Sequence, residues 1–156
     1  MPIATTLRQY LSSHNVSYDI VRHSYAGSSQ HTAQAAHVSG NQLAKPIILE
    51  DEYGYVMAVI PASHQLDYVA LDNLLTRTLV MASENELAGL FQDCELGAVP
   101  ALGEAYGIKT VVDNLLFYPK SIYFEGGDHE TLIQVEASQF RRMMAGATAG
   151  NISTRL

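Results

Sequence analysis

The residues of this 156-residue chain best suited to chemistry lie in one loop and one strand. The loop is Asp93-Cys94-Glu95-Leu96-Gly97-Ala98-Val99-Pro100-Ala101-Leu102-Gly103, with glycines at two corners around a single proline. Gly97 permits a positive φ and lets a ligand approach the backbone, while Pro100 fixes its own φ and drives Val99 toward an extended conformation. A stiff loop of this kind can aim amide hydrogens into one concavity, where they would hold a carboxylate, a phosphate or the oxyanion of a carbonyl under attack. The same composition also makes an ordinary tight connection between two elements. The strand is Leu43-Ala44-Lys45-Pro46-Ile47-Ile48-Leu49, whose alternation puts Lys45 on the face of Leu43, Ile47 and Leu49. A charge on an apolar face fits a lysine that opens on a site. It fits equally a Lys-Pro pair that guards an exposed sheet edge, and both readings stand on the residues alone.

Other reactive side chains point away from catalysis. Cys94 is flanked by Asp93 and Glu95, whose charges disfavour a thiolate, so a packed, inert thiol is expected. The six histidines fall in no recognised ligand spacing, and His31 and His37 are too far apart in phase to share a helix face, so no metal is expected. A net charge of −7 excludes a broad, nonspecific grip on a nucleic acid, although a local basic spot could still hold one end of one. Hydrophobic residues at 47% and charged residues at 16% suit a compact core and argue against extended disorder. One cysteine and no basic-then-apolar opening stretch lead us to expect a cytoplasmic protein with no membrane segment.

The elements that must position the loop and the lysine follow from periodicity. Pro2 to His14 places Ile3, Leu7, Tyr10 and Leu11 on one helical stripe. Tyr18, Ile20 and Val21 form a β-prone run ending at Arg22-His23, followed by a loop over Ala26-Gly27-Ser28-Ser29. His31 to Val38 reads as a short helix, capped by Ser29 or Thr32 and ended by Gly40. The Lys45 strand and Tyr55 to Pro61 make a hairpin about Gly54. Asp67 caps a helix from Tyr68 to Leu75, Thr78 to Met81 is a short strand, and Ser83-Glu84-Asn85-Glu86 is a capping box for a helix reaching about Gln92. Beyond the loop, strands are expected at Thr110–Asp113, Ser121–Phe124 and Thr131–Val135, with Gly126-Gly127-Asp128-His129 turning between the last two. Glu136 to Met144 is helical, and the small, polar residues 146–156 are expected to fray. No repeat or linker divides the chain, so residues 1–156 are read as one domain.

In this order the motifs resemble the YbaK/EbsC group of aminoacyl-tRNA deacylases, related to the editing domain inserted in bacterial prolyl-tRNA synthetases. The resemblance runs through Tyr18 to His23, Ala35-Ala36, Leu43-Ala44-Lys45, His64-Gln65-Leu66-Asp67, Leu90 to Glu95, Gly97-Ala98-Val99-Pro100, Asp113 and Gly127-Asp128-His129. It departs from the family pattern at Pro46 and in the spacing of the glycine loop, where the proline stands at Pro100 and Ala101 follows it.

The resemblance implies an α/β fold of the α+β type, a mixed, partly curled sheet with helices around it. It implies hydrolysis of the ester joining a mischarged amino acid to the terminal adenosine of a tRNA, with no cofactor. Lys45, Gly97 and Ala98 would then be the catalytic positions, and Val99, Pro100, Ala101, His129 and Asp113 would bind substrate. The implied partners are the acceptor end of a mischarged tRNA and, as a second candidate, an aminoacyl-tRNA synthetase. A noncatalytic module that binds an amino acid, an aminoacyl-adenosine or a synthetase through the same residues is the rival reading, because one fold hosts many functions.

Overall fold

A computed structural model of the chain describes residues 3–26 and 28–156. Helix α1 (Thr5–Ser13) buries Leu7 and Leu11, one stripe of the expected pattern. The expected start at Pro2 lies outside the described residues, as does Gly27 of the following loop. Strand β1 (Asp19–Arg22) leads to α2 (Ser29–Ala35), which Ser28 caps by accepting a hydrogen bond from the His31 amide. The cap is thus one residue earlier than Ser29, and the helix stops short of Val38 because His37 turns left-handed at φ 57°.

The hairpin β2 (Ala44–Asp51) and β3 (Gly54–Pro61) forms the centre of a five-stranded mixed sheet. Its other members are β5 (Val80–Met81), β6 (Lys109–Asp113) and β9 (Thr148–Gly150), in the order β5-β2-β3-β6-β9. The β3–β6 and β6–β9 pairs are parallel and the others antiparallel. Strand β4 (His64–Leu66) pairs with β10 (Ser153–Arg155) in a two-stranded ribbon. A third, antiparallel sheet has the order β1-β8-β7, with β7 (Ser121–Glu125) and β8 (Thr131–Glu136). It joins the first sheet at the parallel bridge between Leu43 and Tyr123. Helices α3 (Tyr68–Leu75), α4 (Glu84–Leu90) and α5 (Ala137–Met143) complete the fold. The caps read from sequence are present: Asp67 accepts from the Ala70 amide, and Ser83 and Glu86 form a reciprocal capping box.

The expectation that residues 146–156 fray is overturned. Thr148–Gly150 and Ser153–Arg155 are strands, and Ile152 between them is fully buried in a cluster with Leu66, Leu71 and Val111. The backbone hydrogen bonds of this segment go to β6 and β4, so its small residues serve pairing rather than exposure.

Pro46 sits in β2 without cost to the hairpin. Leu43 accepts from the Ala62 amide, so odd-numbered residues of β2 exchange hydrogen bonds with β3. Pro46 therefore turns its missing donor to the outer edge, where β5 pairs only with Leu49 and Glu50. The core divides along the same alternation. Ala44 and Ile48 face the largest cluster with Val99, Ala101 and Phe124, and Leu49 faces a second one. Leu43 faces a third, with Ala33, Ala62 and Leu132.

Candidate functional site

The Gly97 loop is a type II turn followed by a buried arm. Gly97 has φ 83°, and the Ala98 amide donates to the Glu95 carbonyl at 3.1 Å, which closes the turn over Leu96 and Gly97. Glu95, Leu96 and Gly97 are exposed, whereas Ala98, Val99, Pro100 and Ala101 are all buried. This corrects the expected division of labour. Ala98 spends its N–H inside the turn and cannot offer it to an oxyanion, and Val99 and Ala101 pack in the main core, so they shape the loop from behind. The exposed amides of Leu96 and Gly97 donate to no acceptor among the described residues.

Two contacts clamp this turn to the turn of residues 126–129. The Glu95 amide donates to the Gly127 carbonyl at 2.8 Å, and Nε2 of His129 hydrogen-bonds the Leu96 carbonyl. Because a carbonyl only accepts, Nε2 carries a proton. His129 is 4% exposed and itself left-handed at φ 64°, a conformation costly outside glycine and kept here by the tight 126–131 turn. Asp128 holds that turn by accepting from the Glu130 amide and the Thr131 hydroxyl, both at 3.0 Å.

Sequence reasoning missed Glu125. It ends β7 one residue past the expected strand, yet it is only 4% exposed, and its cross-strand partner is the fully buried Leu132. His129 Nδ1 lies 4.0 Å from Glu125 Oε2, and His23 Nε2 lies 4.0 Å from Oε1. Neither distance is a hydrogen bond. His23 Nε2, His129 Nδ1 and Glu125 Oε1 have no hydrogen-bond partner among the described residues. Burial, with the Asp128 charge adding to it, pushes the Glu125 carboxyl up to about 8, so it is mostly protonated at neutral pH. The sequence carried no signal of this burial, since alternation sets Glu125 with Tyr123 on the face opposite Ile122 and Phe124.

Lys45 is half-buried and donates from Nζ to the His64 carbonyl at 3.0 Å, and burial lowers its pKa. It leaves β2 on the face of Leu43, away from Ala44 and the packed arm of the loop. The Leu43–Tyr123 bridge is a single contact between two sheets, and Leu43 packs there with Leu132, the cross-strand partner of Glu125. The structure therefore joins His129 directly to the Gly97 turn, and it gives Lys45 no hydrogen bond to His129 or to Glu125.

Asp113 does not belong to this group. It is fully buried, and its oxygens accept from the Leu115 amide, the Ile152 amide and the Ser153 hydroxyl, so it staples the last strand in place of binding a substrate. Cys94 lies 3.3 Å from the Tyr106 hydroxyl, and burial, reinforced by the Asp93 charge, pushes its thiol up to about 12. A thiolate nucleophile is disfavoured there. Among the described residues no group of His, Cys, Asp and Glu could hold a metal ion, and no helix is long and apolar enough to cross a membrane.

Solved structures share the fold. A candidate trans-editing enzyme for prolyl tRNA synthetase superposes with a TM-score of 0.82 at 18% identity, covering 99% of this chain and 98% of that one. The hypothetical protein APE2540 gives 0.81 at 22% identity, over 96% of this chain and 99% of its own. A candidate signal transduction protein of Marinobacter aquaeolei VT8 gives 0.78 at 23% identity; 96% of this chain is covered, but it spans only 30% of that protein. No curated protein matches the sequence. Residues 23–143 match the aminoacyl-tRNA editing domain, a span that holds Lys45, the Gly97 turn, Glu125 and His129 alike, and the chain belongs to that family.

Proposed function

We propose that the protein is a trans-acting deacylase that hydrolyses the ester of a mischarged aminoacyl-tRNA, with the backbone of the Gly97 turn supplying the catalysis. The observation that carries this reading is an exposed, unengaged Gly97 amide on a turn held rigid by His129 and Gly127, within a chain of the editing family. An aminoacyl ester is already activated. Water adds to its carbonyl, the Gly97 N–H stabilises the oxyanion, and the bond to the ribose oxygen breaks as that oxygen takes up the proton the water gives up, which releases the amino acid and a free ribose hydroxyl. One preorganised donor of this kind is worth about 3 kcal/mol. Lys45 uses one of its three N–H groups on the His64 carbonyl, which leaves two for the terminal phosphate or ribose. With a net charge of −7, contact is confined to the acceptor end, so a short acceptor-stem mimic binds nearly as well as a whole tRNA.

The test is a deacylation assay across a panel of mischarged tRNAs. At least one ester is expected to be cleaved well above the spontaneous rate, and Lys45→Ala should remove most of that rate while melting like the wild type. Saturable binding with no turnover on any member would overturn the reading in favour of a binding module for an amino acid, an aminoacyl-adenosine or a synthetase.

A further inference from the structure

Beyond the turn itself, the buried Glu125 carboxyl behind it makes no side-chain hydrogen bond among the described residues. Glu125, His23 and His129 converge at the end of the β1-β8-β7 sheet. Each histidine is oriented by its other nitrogen: His23 Nδ1 meets the Ser24 carbonyl at 2.7 Å, and His129 Nε2 meets the Leu96 carbonyl. Since both partners are acceptors, the protons sit on those nitrogens. In their neutral forms both rings then turn a bare lone pair toward the Glu125 carboxyl, His23 from Nε2 and His129 from Nδ1. The other groups around the carboxyl are Asp128, tied into its own turn, and Tyr25, whose ring lies 5.0 Å from that of His129.

The bond to Leu96 matters because of peptide planarity. The Leu96 carbonyl and the Gly97 N–H belong to one rigid plane and point in opposite directions. Whatever holds the carbonyl aims the amide. In a type II turn this central plane is also the one that flips most readily, since reversing it gives a type I turn over the same four residues.

We propose that Glu125 is a positioning residue: through the His129 ring it fixes the Leu96–Gly97 peptide plane and so aims the Gly97 amide into the site. At 4.0 Å the carboxyl stands just beyond hydrogen-bond reach of the His129 lone pair, so a small side-chain rotation lets it donate there when protonated, and it has no other side-chain partner among the described residues. The catalytic half of this proposal rests on the deacylase reading; the coupling of Glu125 to His129 does not.

The experiment therefore has two arms, run on wild type, Glu125→Gln and Glu125→Leu. In the first, ¹⁵N shifts of the His129 ring are followed from pH 6 to pH 9. Wild type should hold the Nε2–H tautomer and show an inflection near pH 8 as Glu125 ionises. The Gln variant should keep the tautomer and lose that inflection, and the Leu variant should give a tautomer mixture. In the second arm, steady-state deacylation uses whichever ester of the panel the wild type cleaves fastest. The Leu variant should lose at least tenfold in kcat with KM changed less than threefold, and the Gln variant should recover most of the lost kcat. An inflection that persists in Glu125→Gln, or an unchanged tautomer and kcat in Glu125→Leu, overturns the proposal. If Glu125→Leu does not fold, the Gln variant's inflection decides. If no ester is cleaved, the deacylase reading fails and the first arm still decides whether Glu125 governs His129.

Discussion

Asp113 and Glu125 are both buried carboxyl groups, each the last residue of its strand, and their surroundings are opposite. Asp113 receives three hydrogen bonds from the backbone and side chains around it, while the Glu125 carboxyl has none among the described residues and faces two histidines just out of reach. A buried polar group costs free energy unless it is paired. The first carboxyl meets that demand and thereby stabilises the fold. The second does not, and an unpaired buried acid beside an exposed turn is where a cost of this kind is usually kept for function. The contrast separates a residue that holds the chain together from one proposed to set a site, although both carry the same chemistry.

Breaking the satisfied member should have the largest effect. Asp113→Ala leaves the buried Ile152 amide without an acceptor and frees β10, and a loss of about 3 kcal/mol is expected in urea denaturation. Fast amide exchange confined to 153–155 should accompany it; an unchanged midpoint would remove Asp113 from its structural role. Next comes the turn. Gly97→Ala puts a methyl group at φ 83°, a cost of about 1–2 kcal/mol that a flip to a type I turn relieves. Because that flip carries the amide away from the site, kcat should fall at least tenfold with only a modest change in melting temperature.

Glu125→Gln sharpens the contrast through pH. The folded carboxyl titrates near 8 against 4.5 in the unfolded chain, so the folded state holds a proton that the unfolded state releases. The stability linked to this group is complete below pH 4.5, declines as the pH rises toward 8 and is flat above it. Glutamine does not ionise, so the variant should melt with the wild type near pH 4.5 and roughly 10 °C above it at pH 8. Equal melting temperatures at both values would mean that Glu125 is not held protonated. The smallest effect is expected from Cys94→Ser. A serine hydroxyl can keep the contact to Tyr106, and the proposed mechanism gives the thiol no part, so deacylation should stay within about twofold.

How much of this was legible depended on whether the cause was local. The caps at Asp67 and Ser83 were readable because donor and acceptor lie within four residues. The hairpin at Gly54 and the strands around the 126–129 turn were readable for the same reason. The last two strands were not, since Thr148–Gly150 and Ser153–Arg155 look like loop and owe their structure to partners far away in β6 and β4. The loop was found as a loop, but its division into an exposed turn and a buried arm depends on the packing of Val99 and Ala101 in the main core. Lys45 stood out because a charge among apolar residues breaks a pattern. Glu125 closes a strand next to glycines, where an acid ordinarily faces water, and only the register that sets it beside Leu132 reveals its burial. Asp113 was noticed through the family resemblance, but its three hydrogen bonds within the fold were not, because a motif marks a position without saying which neighbours use it.

The pairing of β1 with β8 has a consequence for synthesis. Asp19 pairs with Gln134 and Arg22 with Thr131, so the strand that delivers His23 waits for more than a hundred further residues before its partner exists. Closing so long a loop is entropically slow, and such topologies fold late. A nascent chain halted before Thr131 would already carry Lys45 and the whole Gly97 loop, yet neither the His23 arm nor the 126–129 clamp could be in place. Competence should thus arise in one step near the end of translation, and unfinished chains released from a stalled ribosome should be inert toward the very tRNAs around them.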